Sequence, residues 1–308
     1  MKALFLDCND QLAPIFAQVH GADDPPIDVN MAPAAIAPAD LRRLLAGTAI
    51  CIVDHSYLPT AAITQCRDLR HVVFLGTGAA SYMDIAALRG LGVAVHTIGG
   101  YGDTAVAEHT VALIFACARD IAMMDRQIRG GIWQSREGMQ LHGKTLGIVG
   151  IGGIGREVAR IARGIGMKVI AWNRTPRADA GIEMVELDAL LAQADIVSLH
   201  LVLNDETRGL IDARHLARIK PGAILVNTAR GALVDEAALY AALASGRLGH
   251  AGLDVFHDEP LRPDHSLALL PNVTMTPHAA FCTREASETL LRRAIDIVRH
   301  IVTQSDGG

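Results

Sequence analysis

The chain has 308 residues, half of them hydrophobic and 20% charged, and its 28 Lys and Arg against 33 Asp and Glu leave a formal charge of −5. At roughly 150 residues per domain this predicts about two domains, and so apolar a chain buries a core rather than staying disordered. Mild acidity without a basic block excludes a nucleic-acid or anionic-membrane binder, and five scattered cysteines without a C-x-x-C pair (Cys8, Cys51, Cys66, Cys117, Cys282) exclude a disulfide framework and a zinc knuckle.

Asp7 interrupts the apolar start too early for a signal peptide, and the stretch 111–118 is far shorter than the roughly 18 apolar residues of a membrane span. A soluble, cytoplasmic protein is expected. Strand-like runs at 3–7, 49–54, 71–76 and 93–98 alternate with helical stretches such as 38–47 and 82–92, each closed by a glycine. The Asp/Pro-rich 21–26 reads as a surface loop. Residues 99–131 read as a glycine-rich hinge feeding one long helix. Its apolar positions Val106, Val111, Ile114, Phe115, Ile121, Met123 and Met124 predict burial on several sides, and with the segment through Trp133 it is expected to form a two-fold dimer contact. A second series follows, with strands at 145–150, 168–172, 195–200, 223–228, 250–255 and 273–277 and helices including 155–166 and 235–246. The amphipathic stretch 283–302 has no strand after it and is expected to pack back on the first domain. The alternation predicts an α/β protein with parallel sheets. The first domain is then discontinuous, 1–98 with 284–308, and a second, 99–283, is inserted in it.

Gly150-Ile151-Gly152-Gly153-Ile154-Gly155 follows a strand and opens a helix. Glycines in that context make a tight turn, let backbone N–H groups approach a pyrophosphate, and let helix and strand pack closely, so a dinucleotide is expected. The next strand ends in Asn173-Arg174-Thr175, followed by Pro176 and Arg177, with no carboxylate to grip a ribose 2′-hydroxyl. An Arg there can pair with a 2′-phosphate, which predicts NADP in preference, with NAD as the alternative.

Arg230, Glu259 and His278 each fall just past a strand, where open α/β sheets bind ligands. Together they suit carbonyl reduction: Arg fixes a carboxylate, His supplies the proton, and Glu holds the His. A histidine suits this role because its unperturbed pKa, about 6.5, lies near working pH. No Cys/His cluster has metal spacing, so no metal is expected.

From about Gly76 to Thr283 the chain resembles the D-isomer-specific 2-hydroxyacid dehydrogenase family. The resemblance lies in LGTGAASYMDIAALRGLGVAV, AVAEHTVALIFACAR, LHGKTLGIVGIGGIGREVARIARGIGMKVIAWNR, LHLVLNDETRGLID, LARIKPGAILVNTARGALVDEAAL, GLDVFHDEP and TPHAAF, in family order. It implies two Rossmann-like domains, a flavodoxin-like substrate domain and an inserted dinucleotide-binding domain, with the active site in the cleft, and a homodimer. The family's Arg, Glu and His fall on Arg230, Glu259 and His278, and its carboxylate-binding turn on Gly76, Thr77 and Gly78. Dinucleotide contacts are implied for the glycine loop, Ile154, Asn173, Arg174, Thr175, His200, Thr207, Thr228, Ala229, Arg230, Asp254 and His278.

The sequence departs from the family in two places. Asn173 stands where many members have Asp, and His200-Leu201-Val202-Leu203-Asn204 replaces a common H-L-P-L-T. The activity expected is reduction of a small 2-oxo acid such as glyoxylate or hydroxypyruvate, with no nucleic-acid or membrane partner. Two other readings stay open. A phosphoglycerate dehydrogenase is disfavoured by six basic residues against nine Asp in the first hundred, and by a chain that leaves no room for an appended regulatory domain. A dinucleotide-sensing binding protein of the corepressor type would keep the same Arg, Glu and His.

Overall fold

A computed structural model describes residues 1–175 and 181–306. In chain order its elements are β1 (Ala3–Cys8), α1 (Leu12–Val19), β2 (Ile27–Met31), α2 (Pro38–Leu44), β3 (Ile50–Val53), α3 (Thr60–Ile63), β4 (His71–Phe74), α4 (Ile85–Gly90) and β5 (Ala94–Thr97). Then come α5 (Asp103–Ala118), α6 (Ile121–Arg129), β6 (Thr145–Val149), α7 (Gly153–Gly164), β7 (Lys168–Trp172), β8 (Glu183–Met184), α8 (Leu187–Gln193) and β9 (Ile196–Leu199). The chain closes with α9 (Ala213–Arg218), β10 (Ala223–Asn227), α10 (Glu236–Ala244), β11 (Leu248–Leu253), β12 (Val273–Met275) and α11 (Arg284–Asp306).

Two compact units result, Met1–Gly102 with Cys282–Gly308, and Asp103–Phe281. In the first, a parallel sheet runs β2-β1-β3-β4-β5 among the described residues. One face packs Phe5, Ile50, Ile52 and Val73 against Leu290, Leu291, Ile295 and Val298 of α11. The other face buries Leu4, Leu6, Val53 and Val72 with Leu41 of α2, Leu45 just after it, and Leu88 of α4. The lone C-terminal helix is thus stabilised by filling the side of the sheet that α2 and α4 leave bare. Arg292 fastens it further with two 2.7 Å bonds to Asp24, whose carboxyl is held well below the usual range by those hydrogen bonds.

In the second unit a parallel sheet runs β12-β11-β10-β9-β6-β7-β8. Its strands are near-continuous apolar runs, as burial on both faces requires. On one face α5 and α7 cover Leu146, Ile148, Ile224 and Val226; on the other Leu190, Leu216, Leu239 and Leu243 cover Val149, Leu225 and Ala251. No helix among the described residues is long and apolar enough to cross a membrane.

The single long helix expected over 99–131 is a break into α5 and α6. Asp120 takes a left-handed backbone (φ 52°), and its carboxylate binds Arg136 Nε at 2.5 Å and lies 3.4 Å from His250 Nδ1. Only α5 is buried as expected; α6 has no buried residue, and Ile121 and Ile128 are exposed. The elements α1 and β2, on either side of the 21–26 loop, escaped the sequence reading. Apart from Ile27, β2 faces largely outward as an edge strand, so it carries little apolar signal.

Candidate active site

In the second unit every residue singled out sits at the carboxyl ends of the strands. After β6 the chain turns through Gly150 (φ 104°) into α7. A Cβ on Gly155 would lie 2.2 Å from Gly150 O, and one on Gly150 would lie 2.5 Å from His200 O, so both glycines are required by close backbone approach. On Gly152 a Cβ would meet nothing within 4 Å, whereas one on Gly153 would collide with the Asp103 carboxylate, which lies against the start of the twelve-residue helix. Beside this turn, His200 Nε2 lies 2.8 Å from Ser198 Oγ, while Nδ1 is buried with no partner among the described residues. Burial lowers the His200 pKa to about 4, so its imidazole is neutral. A glycine turn opening a helix and an orphaned ring nitrogen fit a bound dinucleotide.

The three residues just past β7, expected to meet the ribose, are already engaged. Asn173 Oδ1 accepts from Ile151 N–H at 3.3 Å, and its Nδ2 donates to Thr175 O at 2.7 Å. The Arg174 guanidinium pairs with Glu206, both side chains well exposed. Arg177 lies outside the described residues. Thr207 is spent within its own loop, donating to Val202 O at 2.7 Å and accepting from Asn204 N–H at 2.8 Å. Asn204, the residue that replaces the family's usual Thr, caps that loop by accepting from the N–H groups of Glu206 and Thr207.

After β10, Asn227 shapes the Thr228–Ala229–Arg230 turn: its Nδ2 donates to Arg230 O at 2.9 Å and its Oδ1 accepts from Ala229 N–H at 3.0 Å. This residue was missed, although an Asn before T-A-R-G is an Asx-turn signal. Arg230 donates to Ala229 O at 2.6 Å and has no carboxylate partner among the described residues, so its guanidinium remains available.

After β11 and β12, His278 Nδ1 donates to Glu259 Oε2 at 2.7 Å, which leaves Nε2 to face a reacting group. Burial alone would raise the Glu259 carboxyl. Hydrogen bonds from His278 and Phe256 N–H, with the charges of His278 and Arg230, outweigh that and hold it below the usual carboxylate range. His278 is itself left-handed (φ 51°), an uncommon state for a non-glycine residue. The fully buried Asp254 imposes it: its carbonyl accepts from His278 N–H at 2.7 Å, and its carboxylate accepts from Ala279 and Ala280 N–H at 2.9 and 3.0 Å.

In the first unit the turn after β4 differs from expectation in one respect. Gly76 N–H is taken by Phe74 O at 2.9 Å, closing the turn at φ 153°, and is not free for a ligand. The N–H groups of Thr77 and Gly78 have no acceptor among the described residues. No group of three or more His, Cys, Asp or Glu among the described residues could hold a metal ion.

A glycine turn before a helix in a parallel sheet, with Arg, Glu and His converging at the strand ends, defines a nicotinamide-dinucleotide-dependent oxidoreductase. Residues 111–280 match the family described as D-isomer specific 2-hydroxyacid dehydrogenase, NAD binding domain. The chain is 35% identical to a glycerate dehydrogenase of Methylorubrum extorquens over 86% of each protein. It is 40% identical to a glyoxylate reductase of Aeropyrum pernix over 80% of this chain and 76% of that one. Among solved structures, the pyruvate reductase of Chlamydomonas reinhardtii superposes with a TM-score of 0.85 at 30% identity, covering 98% of this chain and 97% of that one. The chain belongs to the D-isomer specific 2-hydroxyacid dehydrogenase family and is an oxidoreductase acting on a CH–OH group with a nicotinamide dinucleotide.

Proposed function

We propose that the protein reduces a small 2-oxo acid, of the glyoxylate or hydroxypyruvate kind, to the D-2-hydroxy acid in the cytoplasm, with NADPH used in preference to NADH. The observation that carries the reading is the 2.7 Å His278–Glu259 pair with Arg230 close enough to bias the Glu259 charge. The dinucleotide, when bound along the Gly150–Gly155 turn and His200, supplies the hydride. Arg230 takes the substrate carboxylate through two parallel N–H bonds and so orients the carbonyl. His278 delivers a proton from Nε2 to the carbonyl oxygen, and Glu259, bonded to Nδ1, keeps the ring oriented. The free Thr77 and Gly78 N–H groups are proposed as an anion-binding element for a substrate carboxylate.

The NADPH preference rests on Asn173, which brings no negative charge, and on Arg174. To hold a 2′-phosphate, Arg174 exchanges Glu206 for it. Homodimerisation is proposed through α5, α6 and the following segment, where Phe115, Ile121, Ile128, Ile132 and Trp133 are exposed, Trp133 to 93%. A dimer mass by light scattering at micromolar protein is expected, and a monomer refutes the contact. Steady-state assays with glyoxylate, hydroxypyruvate, pyruvate, phenylpyruvate and phosphohydroxypyruvate, each with NADPH and NADH, test the substrate class. Activity confined to phosphohydroxypyruvate, or dinucleotide binding without turnover of any of them, would overturn it.

A further inference from the structure

Thr110 is the one polar residue among the buried positions of α5, and His109 beside it is three-quarters covered. Each reaches one of the two loops that carry the proposed chemistry. The Thr110 hydroxyl donates its single proton to Val106 O at 2.7 Å, one turn back. Its 2.8 Å contact with Thr228 Oγ1 therefore has Thr228 as donor. Thr228 stands two residues before Arg230.

The second bond follows the same logic. Thr276 Oγ1 donates to Asp254 Oδ1 at 2.6 Å, so its proton too is spent. His109 Nε2, at 2.9 Å from Thr276 Oγ1, must then carry the hydrogen and donate it. Nε2 also lies 3.5 Å from Asp254 Oδ1. Thr276 stands two residues before His278, and Asp254 holds the left-handed turn at His278 from the other side. Consecutive residues of one helix are thus bonded to the threonine two places upstream of each reacting side chain. The helix itself is fixed, for it lies so close on β11 that a Cβ on Gly252 would come within 3.1 Å of Cys117 Sγ and 3.2 Å of Leu113 Cβ.

We propose that His109 and Thr110 are positioning residues, and that α5 is the rail that sets Arg230 and His278 in register for the 2-oxo acid. Thr110 acts on Arg230 through Thr228; His109 acts on His278 through Thr276 and Asp254. The inference rests on the roles proposed above for Arg230 and His278. A merely structural pair would lower stability and leave the kinetic constants of the folded enzyme alone. A positioning pair gives two different kinetic signatures. Misplacement of a reacting group by about 1 Å can cost up to roughly a hundred-fold in rate, so effects of about ten-fold are expected from losing one bond.

The test compares His109→Ala and Thr110→Val with wild type, measuring kcat, KM for the 2-oxo acid, and dinucleotide Kd by calorimetry. His109→Ala should lower kcat about ten-fold with KM changed less than about two-fold. Thr110→Val should raise KM for the 2-oxo acid several-fold with the smaller effect on kcat; because Thr228 and Asp254 are themselves implied dinucleotide contacts, the dinucleotide Kd should shift in either variant by no more than about two-fold. His109→Gln and Thr110→Ser, which keep the donor and the hydroxyl, should restore most of each loss. Thr276→Val breaks the His109 bond from the other side and should reproduce the His109→Ala signature if that variant does not fold. Unchanged constants in folded variants, identical effects from both, or failure of all three disruptive variants to fold would overturn the proposal. Arg230→Ala and His278→Ala are assayed alongside: if these retain activity, the underlying assignment has failed rather than the rail.

Discussion

The two ends of the proposed dinucleotide site are built on opposite principles. At the reacting end the loops after β10, β11 and β12 are held by buried groups whose hydrogen bonds are met: Asp254 and Asn227 are 0% and 1% exposed, and each fixes a turn through its backbone N–H groups. At the ribose end, Arg174 and Glu206 form a surface ion pair with side chains 58% and 68% exposed. A buried hydrogen-bond network cannot lose a member without leaving a polar group unsatisfied, whereas an exposed ion pair contributes only about 0–1 kcal/mol and exchanges partners readily. The proposed reacting end is therefore closely specified by buried bonds, and the residues proposed to set cofactor preference lie on a solvated edge.

The contrast predicts large effects at the first end and small ones at the second. Arg230→Ala removes the two charge-assisted bonds proposed to the substrate carboxylate, each worth roughly 1.5–3 kcal/mol, and should lower kcat/KM by about a hundred-fold or more. Steady-state kinetics with dinucleotide saturating would measure it; a loss of only two-fold breaks the comparison at its strong end. Gly155→Ala places a Cβ 2.2 Å from Gly150 O, so the turn must shift. Overpacking of this kind costs about 1–3 kcal/mol, and thermal unfolding should show a lower Tm together with weaker dinucleotide binding. An unshifted Tm would mean the turn is slack.

At the ribose end the expected changes are about ten-fold in the ratio of kcat/KM for NADPH and NADH, the size of one hydrogen bond to a charged group. Glu206→Gln frees Arg174 and should raise the ratio, while Asn173→Asp adds a negative charge and should lower it. Movement of both in one direction would sink the assignment of Arg174 to the 2′-phosphate. The smallest effect concerns pH. Unfolded, His200 gains a proton as pH falls through about 6.5, but burial keeps it neutral in the fold down to about 4. The unfolded state binds more protons in that window, so stability declines as pH falls through it. His71, His96 and His250, also lowered first by burial, act in the same sense. His200→Gln should remove part of the decline, read as a smaller drop in Tm between about pH 7 and pH 5; an unaltered slope would place the proton uptake elsewhere.

Much of this architecture was legible because strong periodic signals coincide with burial. The strands of the second unit are apolar on both faces, and the glycine turn announces itself between strand and helix. Arg230, Glu259 and His278 could be placed by their position just past strand ends. What stayed hidden depends on single contacts across long sequence separations. Nothing local in ALIFACARDIAMM marks Asp120 as a helix break; the reason lies in Arg136 and in the distant His250. The commitment of Gly76 N–H to Phe74 O is a matter of one dihedral angle. Glu206 could not be seen as the partner of Arg174 from 32 residues away, nor Thr110 as the acceptor for Thr228 from 118. Polar residues inside an otherwise apolar helix were the available clue to α5, and they point to partners without naming them.

The most direct test of the account is His278→Ala, assayed for dinucleotide Kd by calorimetry and for turnover of the best 2-oxo acid of the panel. The glycine turn follows β6, four strands away from the β12 that precedes His278, so loss of the one imidazole should change Kd by only about two-fold, while kcat falls by about 10²–10⁴, the usual contribution of general acid catalysis. Turnover within a few-fold of wild type would contradict the role given to His278 and, with it, the proposed mechanism.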